Sequence, residues 1–281
     1  MRVIKSVNAM AAEARRLRQE GKRIALVPTM GNLHEGHLSL MRMARPLADI
    51  LVISIFVNPL QFEPGSDFDT YPRTFGEDLK KSEAIGVDIV FAPLESDLYP
   101  EGFQTTVEVA EVSKGLCGDF RPGHFKGVAT VVLKLLNIVQ PHVAIFGEKD
   151  YQQLVVIKRM VKDLNIDTEI KDHPTVREKD GLAMSSRNQY LSSEERQRAI
   201  LLYKFLKQAK QRFEAGEREA EPLISMVKKG LEGNSGIEVE YVAIHDRETL
   251  KPVRIIQRPA VMALAVHIGT TRLIDNIFLG N

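Results

Sequence analysis

This sequence has a single cysteine, no tryptophan and almost no excess of either charge. Cys117 is the only cysteine, so no disulfide can form within the chain, and we expect a reducing, cytoplasmic location. The 38 basic and 37 acidic residues give a formal net charge of +1. A charge this small argues against broad binding to nucleic acid or to an anionic membrane.

Long apolar runs are also missing. The two longest, Ile50–Val57 and Val128–Val139, are well short of the about 20 apolar residues that a membrane-spanning helix needs, and Lys134 and Asn137 interrupt the second. Met1–Glu20 contains no apolar core of the kind found in secretory signals. We therefore expect no membrane partner and no secretory signal.

The first two thirds of the chain alternate short apolar runs with helical patterns. Apolar strands separated by helices are typical of a parallel sheet that is covered on both faces. The fold class predicted is α/β, a Rossmann-like doubly wound parallel sheet, with ligands bound at the carboxyl ends of the strands. The predicted strands are Arg23–Pro28, Ile50–Val57, Val87–Ala92, His142–Phe146 and Thr168–Lys171, and the predicted helices are Ala9–Glu20, His37–Leu47, Phe75–Ile85, Gly127–Val139 and Tyr151–Leu164.

The pattern changes after about Thr175, which predicts a Rossmann-like, nucleotide-binding catalytic domain over residues 1–175 and a smaller α+β domain, expected to act as a lid, over residues 176–281. Ser192, with Glu195 three residues on, has the spacing of a helix cap. A second helix is expected over Ala220–Leu231. The strand-like runs in this part are Ile237–His245 and Ala260–His267.

The segment that follows the first strong strand carries two histidines around a glycine, His34-Glu35-Gly36-His37. Residues three apart lie on one face of a helical turn, and a helix N-terminus attracts anions. Two imidazoles there can donate hydrogen bonds to phosphate oxygens. The alternatives are that one histidine only caps the helix, or that the pair binds zinc, for which no third ligand is evident nearby.

Two further segments suit phosphate binding. Lys149 follows a predicted strand end and turn, so its ammonium group can reach the edge of the sheet, although an isolated turn lysine is usually only exposed. Met184–Arg187 combines two hydroxyl groups with a guanidinium group, and a helix-capping loop is the alternative. Glu77 and Asp78 lie near a helix start, where acidic side chains favour the helix dipole, and an indirect contact with Mg²⁺ is the alternative.

His34–His37 resembles the HxGH signature of the nucleotidyltransferase superfamily, and the longer string PTMGNLHEGHLSL (28–40) is similar to the pantoate–β-alanine ligase family. The resemblance extends in the same order over essentially the whole chain. It continues through FVNPLQF (Phe56–Phe62), DFDTYPRT (Asp67–Thr74), RPGHFKGVATVV (Arg121–Val132), FGEKDYQQ (Phe146–Gln153) and MSSRN (Met184–Asn188).

The resemblance implies an ATP-dependent ligase that condenses (R)-pantoate with β-alanine through a pantoyl-adenylate, releasing AMP and diphosphate. It implies that His37, His34 and Lys149 are catalytic, that Gln61 and Gln153 bind substrate, and that Mg²⁺ accompanies ATP without a dedicated protein metal site. It also implies a homodimer, and the stretch Thr105–Val109 has the character of an edge strand. The ATP-binding residues implied are Met30, Gly31, Asn32, Leu33, His34, Glu35, Gly36, His37, Gly147, Glu148, Lys149, Asp150, Val176, Met184, Ser185, Ser186 and Arg187.

Three other functions stay open from the residues alone. A different HxGH nucleotidyltransferase would need only the two histidines, and the motifs beyond them argue against it. A class I tRNA synthetase would need a basic anticodon-binding region, for which this chain has no room. A nucleotide sensor without activity would require the loss of a phosphate ligand.

Overall fold

The computed structural model describes residues 1–63, 65 and 68–280. The chain divides into two compact units, each of which includes more than one segment of the sequence. The first unit contains Met1–Ser113, Arg121–Glu148 and Gln153–Pro174; the second contains Lys114–Phe120, Lys149–Gln152 and Thr175–Asn281.

A parallel sheet forms the centre of the first unit, as predicted, and it has six strands rather than the five that were predicted. Its strands lie in the order β1-β4-β3-β2-β5-β6. The five predicted strands are all present, and β1 is an additional strand of 3 residues, too short to give a periodic signal. The strands are β1 (Arg2–Ile4), β2 (Ile24–Thr29), β3 (Ile50–Ile55), β4 (Ile89–Phe91), β5 (Val143–Gly147) and β6 (Glu169–His173).

The strand order reverses between β2 and β5, because β3 and β4 lie on one side of β2 while β5 and β6 lie on the other. Crossover connections between parallel strands are right-handed, so helices that follow strands on opposite sides of this point cover opposite faces of the sheet. The helices up to this part of the chain are α1 (Val7–Gln19), α2 (Glu35–Ala44), α3 (Phe75–Ile85), α4 (Glu95–Leu98), α5 (Cys117–Phe120), α6 (His124–Val139) and α7 (Tyr151–Asp163).

Burial on both faces explains why the central strands are continuous apolar runs. Residues Ile24–Val27 of β2 and Leu51–Ser54 of β3 are all buried. One core cluster of this unit joins these strands to Leu33 and to Met41 of α2. The helix that begins the candidate site is therefore anchored in the hydrophobic core.

Two helices and a three-stranded antiparallel sheet in the order β7-β8-β9 make up most of the second unit. The predicted capping box is confirmed, since Ser192 and Glu195 exchange hydrogen bonds at the start of α8. The strand β9 was not predicted, because the polar residues Asp275 and Asn276 interrupt its apolar alternation. These elements are α8 (Ser193–Glu214), α9 (Ala220–Glu232), β7 (Ile237–Asp246), β8 (Ala260–Ile268) and β9 (Thr271–Leu279).

The edge strand expected over Thr105–Val109 is wrong. This stretch pairs with no strand in the described structure, and the amide of Val107 donates instead to Thr130 Oγ1 of α6 (2.9 Å). Within the described part of the chain, no helix is both long and apolar enough to span a bilayer.

Candidate active site

The reversal point of the sheet gathers three of the predicted segments at one edge. Strands β2 and β5 are neighbours, and β3 lies on the other side of β2. All are parallel, so their carboxyl ends meet at the same edge, where ligands bind in sheets of this kind. The residues that follow these ends are Met30–His37 after β2, Phe56–Gln61 after β3, and Glu148 after β5.

The loop between β2 and α2 adopts an unusual backbone conformation. Gly31 has φ +84° and Asn32 has φ +48°, so two successive residues occupy the left-handed region. A Cβ on Gly31 would meet Asp78 Oδ2 and Ile55 Cγ2 at 3.1 Å, in addition to the strain that a side chain experiences at this φ. Glycine is therefore required where β2 turns toward the helix.

Both histidines lie at the first turn of α2. His34 is the N-cap residue and His37 occupies the third helical position. The His34 amide donates to Nδ1 of His37 (3.3 Å), and the two rings stack with their centroids 4.0 Å apart. Because Nδ1 accepts this bond, a neutral His37 carries its proton on Nε2, which makes Nε2–H the donor of this ring. The histidine pair therefore takes part in capping the helix, and its binding of an anion stays a prediction.

Glu35 directs its side chain away from the two histidines. Its carboxylate forms an ion pair with Arg42 on the exposed side of α2. The hydrogen bond from Arg42 lowers the pKa of Glu35, against a smaller opposing effect of burial. Glu35 and Gly36 therefore contribute backbone groups of the helix N-terminus to this region.

A buried polar network orients Gln61. Asn58 Nδ2 donates to Gln61 Oε1 (3.0 Å) and to the Gly127 carbonyl (3.1 Å). The Tyr99 hydroxyl donates to Asn58 Oδ1 (2.7 Å). Burial, and then the charge of Glu95, raise the pKa of Tyr99, which keeps this hydroxyl protonated as a donor. The amide orientation of Asn58 is fixed as a result, and Oε1 of Gln61 is occupied.

The remaining amide group of Gln61 faces the β2 loop. Its Nε2 lies 3.3 Å from Met30 Sδ, a weak acceptor. Its backbone carbonyl is contacted by His124 Nδ1 (2.9 Å) and by the guanidinium of Arg121 (3.3 Å). Gly127 permits this close packing, because a Cβ there would lie 2.2 Å from the Leu60 carbonyl oxygen. Gln61 therefore presents N–H donors, which suit a carboxylate or a hydroxyl.

Adjacent glutamines at the start of α7 differ in their surroundings. Gln152, in the second unit, is buried: its Oε1 accepts from the Cys117 amide (3.0 Å), and its Nε2 donates to the Lys114 and Gly115 carbonyls (3.1 and 3.0 Å). Gln153, in the first unit, is half-buried. The hydrogen bonds of Gln152 are structural, a role that sequence reasoning did not find.

Lys149 and Asp150 belong to the second unit, where they form a 3-10 turn with Glu148 of the first. Lys149 is half-buried and Asp150 is exposed. The Lys149 carbonyl accepts from Asn276 Nδ2 of β9 (2.9 Å). This bond holds the backbone of the turn at Lys149.

The Met184–Arg187 segment also belongs to the second unit and begins from a short hairpin. Met184 donates its amide to the Val176 carbonyl (2.9 Å), which brings these two predicted ATP-binding residues together. Ser185 Oγ accepts from the Arg187 amide (3.3 Å) and caps the 3-10 turn Ser186–Tyr190. The capping alternative is therefore correct for Ser185, but for a turn that lies before α8.

Ion pairs to β9 and α8 stabilise this hairpin. Arg177 makes two hydrogen bonds to Asp275 of β9 (2.7 and 2.9 Å), and its guanidinium carbon lies 3.6 Å from the ring centroid of Tyr203. Arg196 of α8 pairs with Glu178 and Asp180, at 2.6 Å each. Asn188 adds a bond from Nδ2 to Glu178 (2.8 Å).

The predicted residues thus fall into two sets, one in each unit. Among the described residues, no group of three His, Cys, Asp or Glu side chains is arranged to hold a metal ion. Asp67, the first residue of one recognised motif, lies outside the described residues, as does Asn281. The set in the first unit is Met30–His37, Gln61, Gly147, Glu148 and Gln153; the set in the second is Lys149, Asp150, Val176 and Met184–Arg187.

Comparisons with known proteins agree on one family. The family described as Pantoate-beta-alanine ligase matches residues 2–278. A pantothenate synthetase from Geobacter sulfurreducens is 55% identical over 280 residues, covering 100% of this chain and 99% of that protein.

Two solved structures are also similar over their full length. The pantothenate synthetase from Thermus thermophilus superimposes with a TM-score of 0.95 at 42% identity, with 100% of both chains covered. The pantoate-beta-alanine ligase from Francisella tularensis, complexed with beta-gamma ATP and beta-alanine, has a TM-score of 0.80 at 35% identity, covering 99% of this chain and 97% of that one.

Proposed function

The chain belongs to the pantoate-beta-alanine ligase family, and on that premise we propose that it condenses pantoate with β-alanine at the expense of ATP. The observation that carries the proposal is the pair His34 and His37 on the first turn of α2, at the reversal point of the parallel sheet. The Francisella tularensis relative, whose structure contains beta-gamma ATP and β-alanine, supports the assignment of ATP and β-alanine as substrates.

The first step forms a pantoyl-adenylate. A carboxylate oxygen of pantoate attacks the α-phosphorus, the bond to the leaving oxygen breaks, and diphosphate departs. Negative charge increases on the phosphate oxygens in the transition state, where preorganised donors stabilise it. Nε2–H of His37, with His34 beside it, is the donor that we assign to this charge.

The second step forms the amide. The amine of β-alanine attacks the acyl carbon, the bond to the adenylate oxygen breaks, and AMP leaves. No enzyme nucleophile takes part, so catalysis consists of positioning and charge stabilisation. We assign Lys149, Ser185, Ser186 and Arg187 to the triphosphate, Val176 and Met184 to the adenine side, and Asp150 to the ribose side.

Pantoate is the substrate that we assign to Gln61 and Gln153. The N–H donors of Gln61 match its carboxylate and hydroxyl groups. Neutral donors suit this task because the pantoate carboxylate must stay nucleophilic. A bidentate arginine would stabilise the negative charge of that carboxylate and so make it less reactive. Backbone groups of Met30–Gly36, Gly147 and Glu148 complete the contacts proposed for ATP.

The proposal also covers the metal ion, the cellular location, the oligomeric state and the domains of the enzyme. Mg²⁺ enters as part of the Mg-ATP substrate, because this ion is typically bound through substrate phosphates and water. We further propose a cytoplasmic homodimer, with residues 1–175 as the catalytic domain and residues 176–281 as the smaller domain.

A heavy-oxygen experiment tests the route. Pantoate labelled with ¹⁸O in its carboxylate is incubated with ATP and β-alanine, and the products are examined by mass spectrometry after one turnover. The adenylate route transfers one labelled oxygen to AMP when the amide forms. A route through an acyl phosphate would put the label in inorganic phosphate and release ADP, which would overturn the proposal.

Omission of one substrate at a time is the control. Diphosphate release should require pantoate and ATP together, and it should continue for a single turnover without β-alanine. Release that occurs with ATP and a phosphate ester in place of pantoate would instead indicate a different nucleotidyltransferase.

A further inference from the structure

Asp78 of α3 is a buried carboxylate to which the resemblance gives no role in the reaction. Its side chain is 1% exposed. Oδ2 accepts from the Asn32 amide (2.9 Å) and Oδ1 accepts from the Leu33 amide (2.8 Å). The Thr74 hydroxyl also donates to Oδ1 (3.2 Å). Both carboxylate oxygens are therefore directed at the backbone of the loop that precedes His34.

Lys81 contacts the same loop from the next turn of the same helix. Its Nζ donates to the carbonyl of Leu33 at 2.7 Å. Residues three apart on a helix lie on one face, so Asp78 and Lys81 approach Leu33 together. The N–H and the C=O of Leu33 are thus held by a carboxylate and an ammonium group from one helix.

We propose that Asp78 and Lys81 are positioning residues that clamp the Leu33 peptide groups and so fix the direction in which His34 and His37 point. The loop needs such a clamp because Asn32, which follows Gly31, is in the left-handed region, where a residue with a side chain is less stable than in the right-handed region. Charge-assisted hydrogen bonds to the next peptides hold this conformation in place.

The clamp acts on catalysis rather than on binding. A displacement of about 1 Å in a catalytic group can lower a rate about 10²-fold, even when the mutation lies outside the chemistry. The inference rests on the proposed function, in which Nε2–H of His37 stabilises the transition state. Loosening the clamp therefore lowers kcat more than it raises the KM for ATP.

The test compares Asp78→Asn, Lys81→Met and the matched control Lys80→Met. Asparagine keeps the shape of the side chain but replaces one acceptor with a donor that faces a backbone N–H. Lys80 is the exposed neighbour of Lys81 on α3, so its replacement makes the same chemical change away from the loop. Two measurements are made on each full-length protein: pantoate-dependent diphosphate release, and hydrogen exchange at the amides of Asn32 and Leu33.

We expect Asp78→Asn to lower kcat about 10²-fold and Lys81→Met about tenfold, each with a smaller change in the KM for ATP. Exchange at the Asn32 and Leu33 amides should become about five- to tenfold faster in Asp78→Asn, as the loss of about one hydrogen bond implies. Lys80→Met should match the wild type in both measurements. Should Asp78→Asn not fold, Lys81→Met decides the question by the same two readouts.

Three results would overturn the inference. The first is a Lys81→Met or Asp78→Asn protein with wild-type kcat. The second is unchanged amide exchange in a slow variant. The third is recovery of Asp78→Asn at high Mg²⁺, which would assign Asp78 to the metal. If the wild type itself releases no diphosphate, the proposed function fails, while the exchange data still test the clamp.

Discussion

The two segments proposed to contact phosphate are supported in different ways. In the first unit, the His34–His37 turn follows a strand of a six-stranded sheet, and buried or half-buried groups of α3 bind its preceding backbone. In the second unit, the Met184–Arg187 segment depends on ion pairs between side chains. Arg196 and its partners Glu178 and Asp180 keep 32%, 27% and 31% of their side-chain surface exposed.

This difference matches the work proposed for each segment. A group that stabilises a transition state must already be in place, because reorganisation at the moment of reaction would reduce its effect. A segment that only binds the triphosphate can become ordered when ATP binds, so it does not need to be held in its final position beforehand. We therefore expect changes in the first unit to affect kcat, and changes under the second segment to affect protein stability and the KM for ATP.

The largest effect expected in the second unit comes from Asp275→Asn. The Asp275 side chain is 2% exposed and that of Arg177 is 16% exposed, so the change leaves a charged guanidinium without its buried partner. Breaking such a pair costs about 3–5 kcal/mol in the free energy of unfolding, measured by urea denaturation. The KM for ATP should also rise, because the Arg177 guanidinium donates to the Gly181 carbonyl (3.2 Å) within the hairpin from Val176 to Met184.

The control for this change is Glu232→Gln, which removes an exposed pair with Lys228 in the same unit. Its free energy of unfolding should stay within about 0.5 kcal/mol of wild type. If Asp275→Asn were equally mild, the support of this hairpin would not reside in its buried ion pair.

In the first unit, His37→Ala should lower kcat by about 10²–10³, the usual loss for one preorganised donor to an oxyanion. The KM for ATP should change less, since the helix N-terminus and the other contacts remain. Steady-state kinetics of diphosphate release measure both quantities. Arg42→Gln, which breaks only the exposed pair with Glu35 on the same helix, should keep kcat within about twofold of wild type.

An effect of His37→Ala on the KM for ATP rather than on kcat would contradict the difference proposed between the two units. A His37→Ala enzyme with normal kcat and a high KM for ATP would show that this turn, too, serves binding. The proposed role of Nε2–H in the transition state would then be wrong.

The sequence predicted what depends on neighbours along the chain. The central strands of the first sheet could be predicted because burial on both faces makes each a largely apolar run, as in Ile50–Ile55, whereas the short strand β1 was missed. The histidine pair was found because its spacing and the strand before it are local features. The capping box at Ser192 was found for the same reason.

Features that depend on distant partners were missed. Asp78 is 46 and 45 residues away from the amides that it binds, so its position suggested only a helix start. The strand β9 was missed because Asp275 and Asn276 look out of place until Arg177 and the Lys149 carbonyl are seen beside them. Sequence reading therefore located the chemical groups but not the residues that hold them in position.

The smallest expected effect is a loss of stability in acid that originates in the second unit. Glu240 of β7 accepts from Arg272 Nε (2.9 Å), and His267 Nε2 lies 3.2 Å from the same carboxylate. Burial alone would raise the pKa of Glu240, but the hydrogen bond and charge of Arg272, and then His267, lower it overall.

The direction of the pH effect follows from this lowered pKa. A carboxylate whose pKa is lower in the folded state stabilises the protein fully above its unfolded value, about 4.5 here. That contribution is lost as the pH falls through the folded value. The difference in free energy of unfolding between wild type and Glu240→Gln should therefore be constant near neutral pH and shrink below about pH 4.5.

Urea denaturation from pH 7 to pH 3 measures this difference. The control is Glu238→Gln, at an exposed position of the same strand, which should follow the wild-type curve. A difference between wild type and Glu240→Gln that stayed constant down to pH 3 would mean that the pair with Arg272 does not hold the charge of Glu240, and the contrast drawn between backbone support and ionic support would lose this example.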